Sequence, residues 1–90
     1  MKRAAKPALA ADPIGGITYL AYHDGTDIVV RRRTHRTGTW STPVVVVAAV
    51  AASQIALAHG YDQAGGLVLC YVDAGQLETK HSFSGGSAWA

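Results

Sequence analysis

The sequence predicts an all-β chain made of two blade-like meander units, and three observations carry that expectation. Turn punctuation recurs at short intervals: Gly15-Gly16, Asp24-Gly25, Gly38, Gly65-Gly66, Asp73 to Gly75 and Gly85-Gly86. The segments between these turns are rich in Val, Ile, Thr and Tyr, the residues that suit a pleated surface. Residues 18–41 also slide onto residues 67–90 without a gap, and the matches fall at structurally meaningful places.

The elements follow in chain order. Residues 1–6 read as a basic tail. Ala8 to Ala10 opens the first unit, and Ile17 to Tyr22, aromatic and β-branched, is its next strand. His23 to Thr26 contains Asp-Gly, a strong short hairpin signal, and residues 27–33 return antiparallel, with Ile28 and Val30 on one face and Arg32 behind them. His35 to Thr39 is a polar loop, and residues 43–48, centred on four consecutive valines, form the fourth strand. Ser53 to His59 is a further candidate strand, Asp62 to Gly66 a turn, residues 66–72 a strand, Asp73 to Gly75 a turn and residues 76–83 a strand. The domain reading is a tail over 1–6, a first unit over 7–49 and a second over 50–90. The rival reading is a small α+β domain with a helix at 48–58. That stretch has six alanines and no Gly or Pro, and Gly60 could cap its end.

In the gapless alignment Leu20 meets Leu69, Tyr22 meets Tyr71, Asp24 meets Asp73 and Trp40 meets Trp89, while Ile28 meets Leu77 and Arg31 meets Lys80. Upstream, Ala8-Leu9-Ala10 followed by Gly15-Gly16 parallels Ala56-Leu57-Ala58 followed by Gly65-Gly66, with two fewer residues between in the first copy. The unit is strand, Gly-Gly turn, strand, Asp-led turn, strand, Gly-containing loop, Trp. The first copy adds a fourth strand, and the second stops at Trp89-Ala90 without one.

A four-stranded meander repeating every 40–50 residues has the sequence form of a β-propeller blade. The stretch from Asp24-Gly25 through Ile28 to Arg31 and on to Thr39-Trp40-Ser41-Thr42-Pro43-Val44 resembles a blade of the sialidase-type propellers with bacterial neuraminidase repeats. Blades of that family carry the turn S-x-D-x-G-x-T-W. Ser82, Gly86 and Trp89 fit it in the second copy, with Ser84 at the Asp position and Ala88 at the Thr position. Thr39 and Trp40 fit it in the first copy, with His35 and Thr37 at the Asp and Gly positions. The resemblance covers residues 7–90. It implies a propeller fold but no catalytic residue, because the family's catalytic groups come from several blades and its Arg-Ile-Pro motif is absent.

Composition narrows the function classes. Ninety residues allow one small domain. Leu, Ile, Val and Phe total 20, enough to build a core. A chain this short hides only roughly 60–65% of its unfolded surface and is marginal alone. Net charge is +2, too small to imply nucleic acid. The charge is uneven: residues 1–36 hold seven basic and three acidic groups, and the rest hold Lys80 against Asp62, Asp73 and Glu78. The longest apolar stretch, Val44 to Ala58 with Ser53 and Gln54 tolerated, is shorter than the ~18–20 residues that span a bilayer. The basic start has no apolar stretch after it of the kind a signal peptide needs. The compartment is left open, and an extracellular or virion surface is compatible. The lone Cys70 lies in an apolar strand and reads as a buried, inert thiol.

Candidate chemistry is sparse. His23, His35, His59 and His81 are scattered with no metal-ligand spacing, and no cofactor motif occurs. A Ser53, His59 and Asp62 trio lacks the G-x-S-x-G elbow of a nucleophilic serine. Arg31 and Arg33, with Arg32, Arg36 and His35, form the one basic cluster, suited to a planar anion or to a charged outer edge. Trp40 and Trp89, with Tyr22 and Tyr71, could stack on sugar rings or wedge between units as core. The functional expectation is a non-catalytic binding or assembly module: a lectin-like, carbohydrate-binding propeller unit that oligomerises. The ligand-binding candidates are Trp40, Trp89, Tyr22, Tyr71, Arg31 and Arg33. The alternatives are a virion or surface structural protein and a fragment of a sialidase-like glycoside hydrolase. The expected partner is the chain itself, as a cyclic oligomer such as a trimer with Pro7 to Ala11 of a neighbour pairing at an open edge, or else a larger β scaffold. Glycans are further candidate ligands.

Overall fold

A computed structural model describes residues 6–12, 15–60, 66–82 and 84–90, and these fold entirely as strands and turns. The strands are β1 (Ala8–Asp12), β2 (Ile17–His23), β3 (Ile28–Thr34), β4 (Val44–Val47), β5 (Ala52–His59), β6 (Leu67–Asp73) and β7 (Gln76–Ser82). They form two antiparallel sheets in meander order, β1-β2-β3-β4 and β5-β6-β7, and neither sheet closes on itself. Among the described residues no helix is long and apolar enough to cross a membrane.

The internal repeat is built into the hydrogen-bond register. Leu20 pairs with Arg31 and Tyr22 with Val29 across β2–β3. The same pairs moved on by 49 residues, Leu69 with Lys80 and Tyr71 with Glu78, occur across β6–β7. Leu9 pairs with Leu20, and Leu57 pairs with Leu69, so the leading strand repeats too. The match continues beyond the strands: Ser41 N–H donates to the Arg32 carbonyl at 2.8 Å, and Ala90 N–H donates to the His81 carbonyl at 2.9 Å.

Each sheet has two faces, because neighbouring residues of a strand point to opposite sides and register partners share a side. We call front the face of the first sheet that carries Tyr19, Ala21, Ile28 and Val30, and back the face that carries Leu9, Leu20, Tyr22 and Arg31. Carried over by the repeat, the front of the second sheet holds Val68, Cys70, Leu77 and Thr79, and its back holds Leu57, Leu69, Tyr71 and Lys80. The core forms where the front of the first sheet meets the back of the second. Ala21, Ile28 and Val30 pack with Leu69 and Tyr71, and Val50 and Ala52 close one side. Between the sheets, β5 runs closest to β1 and β2.

The alanine-rich stretch is a strand and not a helix. Ile55 and Leu57 are partly buried while Gln54, Ala56 and Ala58 are exposed, a period of two. The link before it turns sharply at Ala49, at φ 53°, where Ala49 N–H is held by Asp27 Oδ1 at 2.8 Å. Val50 N–H bonds the Thr26 carbonyl at 3.0 Å. The His23 ring accepts from Gly25 N–H at its Nδ1, so Nε2 carries the proton and donates to the Val50 carbonyl. The first hairpin thus grips the start of the second unit.

Residues 8–12 pair with β2 and form an edge of their own sheet. One further expectation needs correction. Cys70 is half-buried, not buried, because it stands on the front of the second sheet, which nothing among the described residues covers. The turn expected at 62–66 and the tail lie mostly outside the described residues.

Candidate functional site

The candidate residues divide between two faces. Tyr22, Arg31 and Arg33 stand together on the back of the first sheet, since Tyr22 pairs with Val29, Leu20 with Arg31 and Thr18 with Arg33. Trp40 joins them through an antiparallel bridge to Arg33. This face looks away from the core. Leu9 is 64% exposed and Trp40 40%. Val29 is buried here, flanked by its register partners Tyr22 and Val45.

The loop after β3 tethers both arginines. Arg31 Nε donates to the Ser41 carbonyl at 2.9 Å, and Arg33 Nε donates to the Gly38 carbonyl at 3.2 Å. Gly38, at φ 71°, allows that close approach: a Cβ there would meet Arg33 Nη2 at 3.2 Å. Ordered guanidiniums lose less freedom on meeting an anion or a carbonyl than free ones do.

The second set is differently placed. Tyr71 is buried, and Lys80 and Trp89 are half-buried, all on the side that meets the first sheet. Trp89 packs against the core and donates from Nε1 to the Gly86 carbonyl at 2.9 Å. Burial, then the charges of Glu78 and Asp73, push the Tyr71 phenol above its ordinary range. The two tryptophans therefore do not form two equivalent open sites.

The loop between β7 and Trp89 is held by serine hydroxyls. Ser82, only 1% exposed, accepts from Gly86 N–H at 3.0 Å and Ser84 N–H at 3.4 Å. Ser84 Oγ accepts from Ala88 N–H at 2.9 Å, and Ser87 Oγ donates to the Ser84 carbonyl. A Cβ at Gly86 would meet Leu67 and Val30 at 3.6 and 3.7 Å, so this loop sits between the two sheets.

Sequence reasoning grouped Arg32 with its neighbours, but strand alternation sends it to the other side. It lines an open cleft of about 150 Å³ with Val30, Ser41, Thr42, Gly85 and Ser87. Period-two alternation was the signal that separates it from Arg31 and Arg33. Burial and then the Asp12 charge raise the neighbouring Tyr19 phenol pKa, outweighing the Arg32 charge, which lowers it. Across the leading strands, His59 Nε2 lies 3.5 Å from Asp12 Oδ2. Among the described residues no three His, Cys, Asp or Glu side chains converge as a metal site.

No protein-family model matches the chain, and no curated protein or solved structure matches it either.

Proposed function

We propose that the chain is a non-catalytic assembly module whose two outer sheet faces associate with further copies of the chain. The observation that carries this is the apolar exposure on those faces. Leu9, Trp40 and Val45 stand out from the first sheet, and Leu77, at 70% exposed, stands out from the second. Leu9, Val45 and Trp40 share the back of the first sheet, and clustered exposed apolar side chains of this kind mark contact surfaces. Light scattering on the full chain at micromolar concentration tests the reading. A mass that is a multiple of 9.4 kDa is expected, and a folded 9.4 kDa monomer overturns it.

A second reading, a lectin-like site, is favoured by one observation: Trp40 is exposed beside the tethered Arg33 and Arg31. An indole stacks on sugar rings, and guanidinium forks bind carboxylates or hydroxyls. A glycan array comparing the chain with Trp40→Ala tests it. Signal lost in the variant supports a lectin, and no signal from either protein overturns it. The repeated strand register supports two units built on one strand pattern. A role as part of a glycosidase would need residues from other units.

A further inference from the structure

Resting on the assembly reading, we infer that the partner is a second copy of this chain, docked head to tail. The front of the second sheet of one copy sits on the back of the first sheet of the next.

The template for this contact lies within the chain. The front of the first sheet is already covered, and its cover is the back of the second sheet. The exposed front of the second sheet is chemically close to that covered front. Cys70 stands for Ala21, Val68 for Tyr19 and Leu77 for Ile28, while Thr79, with its hydroxyl, stands for Val30. Ala56 and Ala58 stand for Ala8 and Ala10. The exposed back of the first sheet is closer still to the back that does the covering. Leu9, Leu20, Tyr22 and Trp40 recur as Leu57, Leu69, Tyr71 and Trp89, and Arg31 recurs as Lys80.

At two pairs of equivalent positions burial differs between the covered and the uncovered face. Ile28 is 0% exposed and Leu77 is 70% exposed, although they hold the same place in the repeat. Leu69 is likewise fully buried while Leu20 is only half-buried. The covered pair of faces thus serves as the template for the two outer ones.

The contact on this template joins two different faces, which excludes a pairing of identical faces. Within the chain a front meets a back, so the two sheets are related by a step and not by a dyad. Repetition of that step between copies is a heterologous contact, which closes into a ring when the rotation divides the circle. Rings of about 4–8 sheets are the established range for such architectures, so two to four copies would close one.

Two exposed leucines give the test. Leu77→Lys disables the front of the second sheet, and Leu9→Lys disables the back of the first. Both side chains already face solvent, so each variant keeps its fold, checked by circular dichroism. Light scattering should give a multiple of 9.4 kDa for the unaltered chain and 9.4 kDa for each variant alone. Mixing the two variants restores one intact contact and should give a mass of two chains, with no larger species. If the unaltered chain is oligomeric but the mixture stays monomeric, head-to-tail docking is wrong while the assembly reading stands. If the unaltered chain is itself monomeric, the assembly reading fails and the docking with it. Oxidative cross-linking adds an independent readout. Leu20→Cys should form a covalent ladder through Cys70 of the next copy. Covalent dimers of the unaltered chain through Cys70 alone would instead mean face-to-face docking and overturn the proposal.

Discussion

Trp40, 40% exposed on the back of the first sheet, occupies the repeat position of Trp89, which is half-buried against the core and bonded through Nε1 to Gly86. One position in the repeat thus serves as open surface in one unit and as packing in the other. Trp89→Ala should lower stability by about 2–4 kcal/mol, the scale of a large aromatic lost from a partly buried site. Trp40→Ala should change the unfolding free energy of the single chain by less than about 1 kcal/mol. It should lower the assembled mass instead. Denaturant titration and light scattering on both variants read the contrast.

Ser82 is the buried polar anchor of the loop that enters between the sheets. Ser82→Ala leaves the Gly86 N–H without its acceptor in a buried place and should lower stability by about 1–3 kcal/mol. Ser84→Asp should raise the melting temperature, since a carboxylate is a stronger acceptor for Ala88 N–H than a hydroxyl is. A melting temperature lowered by Ser84→Asp would count against this loop being a degenerate form of the S-x-D-x-G-x-T-W turn.

Ala74 and Gly75 link β6 to β7 with φ angles of 51° and 79°, the two positive values of a type I′ turn. Gly carries that geometry without strain, whereas Ala holds it at a penalty of about 1 kcal/mol. Ala74→Asn, which installs the favoured Asn-Gly pair, should raise stability by about 0.5–1 kcal/mol in thermal or denaturant unfolding.

Asp24 caps the first hairpin turn. Hydrogen bonds from the Asp27 and Thr26 N–H groups hold its carboxyl below the ordinary 3.8. The folded pKa lies below the unfolded one, so this contribution is present above pH 3.8 and is lost as pH falls through the lower folded value. Unfolding midpoints measured below pH 4 should fall less steeply for Asp24→Ala than for the unaltered chain.

The alkaline limb has the opposite sign. Burial raises the phenols of Tyr19 and Tyr71 above the ordinary 10.0. The neutral forms are favoured by folding, so their contribution is complete below pH 10.0 and is lost as pH climbs through the raised values. Tyr71→Phe should flatten the loss of stability above pH 10 in the same titration.

The strands were legible because two local signals agreed. The expected strands at 17–22, 27–33 and 66–72 stand at 17–23, 28–34 and 67–73, bounded by the turns that Gly and Asp mark. The choice between strand and helix after Val47 was not local. It rests on Ala49 bonded to Asp27 and on Val50 bonded to Thr26 and His23, contacts that span more than twenty residues. The candidate surface was half legible. Tyr22, Arg31, Arg33 and Trp40 do share a face, as their spacing in a hairpin requires. That Tyr71 and Trp89 would be covered while their counterparts stay open follows from which face of each sheet meets the other. A repeat alignment treats equivalent positions alike and cannot carry that difference.

The grip of the first hairpin on Ala49 and Val50 has a geometric consequence. Only residues 48–51 join the two sheets, and two of them are bonded back to the 23–27 corner. The angular step from one sheet to the next is therefore set by a corner of the first sheet as much as by the packed faces. If copies adopt the same step, the number that completes a circle is fixed by that clamp: steps of about 90°, 60° and 45° from sheet to sheet correspond to two, three and four copies.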